Sequence, residues 1–145
     1  MELYYTLNKV LHLLGMASWF GVALAISIIL SKKDDSDHAL VLDLSTKVEM
    51  PASFFIPLTG VLMMIDNTNL LYDGWIQLKI AIGLIAIAFT HISRAYLIHK
   101  DLSNAIALQK FIFYRNMCLA ALAVILIIVG YKSVSYTHLT LPTKA

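Results

Sequence analysis

Residues 80–89, IAIGLIAIAF, include no side chain that bonds water, and they sit at the centre of a longer apolar stretch over residues 74–98. A helix rises about 1.5 Å per residue, so about 20 apolar residues cross a ~30 Å hydrocarbon core. Three more stretches approach that length: residues 3–30, interrupted by Asn8, Lys9, His12 and small polar residues; residues 44–65, with Pro51 and Pro57; and residues 110–131. Hydrocarbon offers backbone amides no partner, so a spanning segment of this kind must bond its own backbone as a helix. The expectation is an all-α fold of four transmembrane helices.

Composition agrees. The chain has 145 residues, 59% hydrophobic and 14% charged, with mean hydropathy +0.77, against about 45–50% and about 25% for soluble domains. A chain this short buries too little of its surface to hide that much apolar area from water. The connections SKKDDSDHA, DNTNLLYDG and KDLSNA are short and polar, which favours antiparallel neighbours in an up-down-up-down bundle. Residues 1–133 therefore read as one domain without internal repeats. Residues 134–145 read as a disordered tail; SYTHLTLPTKA resembles translated sequencing-adapter read-through, and His138 is set aside with it.

Several classes lose support. A net charge of +2 gives no reason to expect nucleic acid as a partner, and the single Cys118 excludes an intrachain disulfide or a CxxC site. The opening MELYYTLNKVLH lacks the basic region, short apolar run and cleavage site of a signal peptide, so the first span is expected to be retained. No P-loop, GxGxxG, HExxH or GxSxG motif occurs.

Orientation follows from charge position. Lys32, Lys33 and Lys47 flank the first connection, and Arg94, Lys100, Lys110 and Arg115 flank the third. The second holds Asp66 and Asp73 but no lysine or arginine. The positive-inside tendency then puts connections one and three in the cytoplasm and both termini outside. Tyr4, Tyr5, Tyr72, Trp75 and Tyr131 fall at the outer interface.

An ionisable side chain at a helix centre costs about 2.5–3.5 kcal/mol on insertion scales, so each one must extend to the interface, pair or bind something. His12 shares a helical face with Trp19 and Ala23, with Gly15 and Met16 beside it, while Ala17, Gly21 and Ala25 make a small-residue ridge opposite. It reads either as a ligand or as an imidazole bonded to a carbonyl or water. Lys79 either snorkels or joins His12, because the two lie within ~6 Å in height by helical rise. His91 and Arg94 share a face near the other end, where Arg115 enters the same leaflet and His99 lies in the interface. The two arginines either clamp an anionic group such as a propionate or phosphate or anchor topology. His91 sits ~12 Å deeper than His12, which argues against both histidines meeting one iron. Pro57 and Gly60 should bend or loosen the second span. Met63 and Met64 suit Cu(I) by chemistry, but adjacent residues point about 100° apart. Cys118 reads as a small core residue.

LHLLGMASWFG, MPASFFIPLTGVLMM and GWIQLKIAIGLIAIAFTH resemble a loose group of small bacterial membrane proteins. It includes the HemJ-type protoporphyrinogen oxidase, the membrane domain of copper-resistance protein D and related four-helix proteins of unknown function. The resemblance implies a bacterial inner-membrane protein with a haem-associated site at His12 and Lys79. His12 would be the axial ligand of b-type haem, Lys79 a second ligand or charge partner, and Arg94 and Arg115 would hold acidic groups. The implied activity is oxidation of a tetrapyrrole, with a membrane electron carrier as partner beside the lipid bilayer itself. HemJ-type proteins carry an arginine-asparagine-glutamate-proline-like signature entering the fourth helix, where this chain has YRNMCLAA, with Arg115 and Asn116 but neither glutamate nor proline. Two other readings stand beside it: a copper module using His12 with Met16, Met63 or Met64, and a cofactor-free accessory subunit. A homodimer is a further candidate arrangement.

Overall fold

The computed structural model describes residues 2–31 and 38–139, with side chains over 3–30 and 38–131. α1 covers Glu2–Ser31; α2 (His38–Leu44), a π turn (Ser45–Glu49) and α3 (Met50–Asp66) run on as one second rod; α4 covers Gly74–His99 and α5 Ala105–Leu139. A 3₁₀ turn, Thr68–Tyr72, joins α3 to α4, and there is no strand among the described residues. Four stretches are long and apolar enough to cross a membrane: Leu3–Leu30, His38–Asp66, Gly74–His99 and Ala105–Tyr131. No more than 22% of the most apolar window of any of them is buried within the protein. Leu13, Phe54, Leu84 and Ile127 are each more than half exposed. In water such a surface would aggregate; in lipid it is ordinary. The chain is an all-α, four-helix integral membrane protein.

Short polar side chains close the helix ends that water reaches. Asp73 accepts from the Trp75 N–H at 3.0 Å at the start of α4, and Asn104 accepts from the Ile106 N–H at 2.9 Å at the start of α5. In the same connection the Ser103 backbone N–H and hydroxyl hold the Asp101 carboxyl below the usual carboxylate range. Two boundaries differ from the sequence expectation. The second rod starts at His38 rather than 44, because ALVL already supplies apolar surface and Asp43 pairs one turn on with Lys47 at 2.7 Å instead of ending the helix. α5 starts at Ala105 and continues to Leu139, into the stretch read as disordered tail. Nothing between Tyr131 and Leu139 breaks a helix, since the tail's proline is Pro142; residues 140–145 lie outside the described residues.

The π turn has a cause in the sequence. Pro51 has no N–H to continue the i→i−4 ladder, and at this point the Met50 N–H bonds the Ser45 carbonyl, one residue further back than in an α-helix. Ser45 and Glu49 are both buried there.

α1 packs on α3 and α5, and α4 packs on α5, whereas α3 and α4 touch little. Gly15 lets α1 and α3 approach closely, since a Cβ there would meet Ile56 Cγ1 at 3.2 Å. One apolar cluster joins Met16, Trp19, Ala23, Ala52, Ala86, Cys118 and Leu122; a second joins Ile26, Val41, Leu97 and Phe111. Both lie in the middle and at the lower end, meaning the end that carries the first and third connections. Toward the upper end, α3 after Thr59, α4 before Ala86 and α5 after Leu122 bury nothing fully, and α1 before Met16 buries only Asn8, among the described residues. Full burial is thus concentrated in the middle and lower part of the bundle.

Trp19 is 1% exposed and donates to Thr90 Oγ1 at 3.2 Å. Trp19→Ala should cost about 3–5 kcal/mol, and Trp19→Phe, which keeps most of the volume, about 0.5–1.5 kcal/mol. Unfolding of both variants in mixed detergent micelles measures the difference.

Candidate functional site

Thr59, on α3, fixes the orientation of the His12 ring. The Thr59 hydroxyl lies 2.7 Å from the Phe55 carbonyl and 3.1 Å from that of Ile56, and it donates its one proton to them. Its oxygen is 2.9 Å from His12 Nδ1. With the hydroxyl proton already engaged, the oxygen accepts and Nδ1–H donates, which leaves the lone pair on Nε2. Gly60 makes room beside the ring, because a Cβ there would stand 3.7 Å from His12 Cε1. Thr59 is buried, while His12 is half-buried in the upper part of the bundle.

Lys79 is half-buried on α4, within ~6 Å of the height of His12 by helical rise. Asn8, one turn above His12 on the same face of α1, is 5% exposed, and its Nδ2 has no partner among the described residues. Met63 and Met64 are half-buried near the upper end of α3, whereas Met16 belongs to the core beside Trp19. No three residues among the described His, Cys, Asp and Glu gather into a metal-binding group.

A second polar centre lies below. Arg115 Nη1 donates to Glu49 Oε2 at 2.8 Å, and Nη2 stands 2.8 Å from Oε1. The two side chains are 2% and 0% exposed. Nη2 also reaches the Ala23 carbonyl at 3.4 Å, so the pair draws α1, the second rod and α5 together. Just above it, Thr90 Oγ1 receives the Trp19 N–H and lies 3.0 Å from Cys118 Sγ, and Ser93 donates to the Thr90 carbonyl at 2.9 Å. This layer ties α4 to α1 and α5. Across the two layers, all four spans are bonded side chain to side chain or side chain to carbonyl.

The sequence reading gave Arg115 the acidic group of a ligand; in the structure the acid it meets is Glu49. That residue was missed, although a signal existed: Glu49 is the sole carboxylate inside the four expected spans. A lone acid in hydrocarbon must find a cation. Arg94 is half-buried, its Nε and Nη2 each 3.4 Å from Thr46 Oγ1. It lies roughly 22 Å along α4 from Lys79 by helical rise, so the four residues named from the sequence fall into two groups, His12 with Lys79 above and Arg94 with Arg115 below. His91 and His99 are exposed on the outside of the bundle.

Removing either member of the lower pair strands a charge in a dry interior, which costs about 3–5 kcal/mol. Glu49→Ala and Arg115→Ala should therefore each unfold at much lower denaturant. The double variant Glu49→Leu with Arg115→Leu should recover most of that loss, a coupling that a double-mutant cycle in micelles reads directly.

No known protein family, curated protein or solved structure matches the chain.

Proposed function

We propose that this membrane bundle holds a metal-centred cofactor, b-type haem, with His12 as the axial ligand. The observation that carries the reading is the Thr59–His12 bond, which fixes the ring and leaves Nε2 as the nitrogen with a lone pair. Metal-ligating histidines characteristically donate their other ring N–H to a protein acceptor, which sets ring orientation and basicity. The less buried upper end suits a bulky planar group better than the packed lower end does. A single imidazole with a lysine suits an axial position better than a chelated copper ion, since Met16 is committed to the core.

In this reading Lys79 serves as charge partner to the cofactor's acidic groups. Arg115 is engaged by Glu49, and Arg94 lies toward the other leaflet, so neither is assigned to the cofactor. Bound haem would supply one-electron chemistry, and the resemblance to HemJ-type proteins points to tetrapyrrole oxidation with electrons passed to a membrane carrier. The chain's own residues orient the imidazole, supply a cation and limit access of water. We further infer residence in a bacterial inner membrane with both termini outside, from the lysines and arginines that flank the lower connections.

Protein purified in mild detergent, with haem supplied during expression, should show a Soret band and reduced α/β bands. His12→Ala should abolish them, and Thr59→Val, which removes the acceptor for Nδ1–H, should weaken haem affinity about 10- to 100-fold. Because only the neutral imidazole ligates, affinity should fall as pH drops. A colourless protein with stoichiometric copper would favour the copper reading, and neither pigment nor metal would leave a cofactor-free bundle. Fusions of a periplasm-active and a cytoplasm-active reporter to the C-terminus test orientation, and activity of the cytoplasmic one would reverse it.

A further inference from the structure

The site at His12 makes no use of Arg94. At the lower end a narrow crevice, without room for a water molecule inside it, is lined by Ser45, Ser93, Arg94, Arg115 and apolar side chains. Its walls carry two guanidiniums, of which Arg115 is held by the Glu49 carboxylate. The nearby Asp43 is paired with Lys47 at 2.7 Å. Among the described residues no carboxylate is paired with Arg94.

Its donors are also underused. A guanidinium has five N–H groups, and among the described residues those of Arg94 find one acceptor, the Thr46 hydroxyl, at 3.4 Å from both Nε and Nη2, longer than the usual 2.9–3.0 Å. Behind it, Arg115 is 2% exposed and its Nε has no partner among the described residues. The wall is rich in donors and short of an acceptor, which is the chemistry of an anion site.

Depth says where the anion comes from. α4 runs for 26 residues, roughly 39 Å, against a hydrocarbon core of ~30 Å. Arg94 therefore lies within one turn of the hydrocarbon boundary, and its side chain reaches headgroup level from the lipid side. We propose that Arg94, at the mouth of this crevice between α2 and α4, holds the phosphate of an anionic phospholipid. The fork of a guanidinium matches two phosphate oxygens. The crevice is too narrow to take in a headgroup, so the phosphate rests at its mouth, against Arg94.

Native mass spectrometry of the full chain, released from micelles doped with equal phosphatidylglycerol and phosphatidylcholine, reads the preference. The wild type should retain phosphatidylglycerol about fivefold over phosphatidylcholine, the equivalent of ~1 kcal/mol for one arginine at an anionic surface. Arg94→Gln should bring the ratio close to one. Thr46→Val, which frees the guanidinium from its protein acceptor, should keep or raise it. Equal retention of the two lipids by the wild type, or an unchanged ratio in Arg94→Gln, would overturn the proposal. So would inorganic phosphate at matched concentration displacing the lipid, since the site would then be one for a free anion. None of these readouts depends on haem.

Discussion

The buried pair of Glu49 and Arg115 is the contact that the rest of the bundle is arranged around. In hydrocarbon neither charge is tolerable alone, and each has the other as its nearest remedy. Their union brings the second rod against α5, and the reach of Arg115 to the Ala23 carbonyl brings α1 to the same point. The backbone accommodates it through Pro51, which leaves a break in the hydrogen-bond ladder, and through the π turn that ends on Glu49. A buried ion pair is rarely the most stable filling for such a position, since matched apolar side chains often do as well or better. What it adds is register. Sliding α5 by one turn past the second rod would leave two unpaired charges in lipid, whereas sliding leucines past one another would cost little.

The distribution of packing follows from that contact. Below and around it, Trp19, Thr90, Cys118 and Phe111 are fully enclosed. Above Met16 little is fully buried, and α3 barely meets α4. Stability is thus concentrated in the half of the molecule without the imidazole site, and the half with His12 is left adaptable. His12 is held where it is by a hydroxyl on the neighbouring helix rather than by dense packing, so its orientation is defined while the space around it is open.

Both arginines show how position decides the role of one residue type. Arg115 and Arg94 lie in the same leaflet, and from sequence they read alike, as two arms of one clamp or as two topology anchors. Helix rotation separates them: Arg115 is turned to the bundle axis and neutralised, while Arg94 is turned to the seam between α2 and α4 and keeps most of its donors.

Much of this was legible in the residues alone. Four apolar runs of membrane length, with water-free backbone demands, leave helices as the available structure, and polar connections of a few residues make neighbours antiparallel. The common height of His12 and Lys79 followed from counting residues along rods of fixed rise. Rotation and partnership did not follow, because a helix of nearly uniform hydropathy, as in α5, presents no face that marks the interior. For that reason the sequence named His12 but not Thr59, and Arg115 but not Glu49. It likewise marked a break at Pro51, but not that the turn before it would seat a carboxylate in the core. Those choices depend on which helices meet and at what angle, and in lipid, where exposed leucine is no penalty, only the few polar groups discriminate between one packing and another.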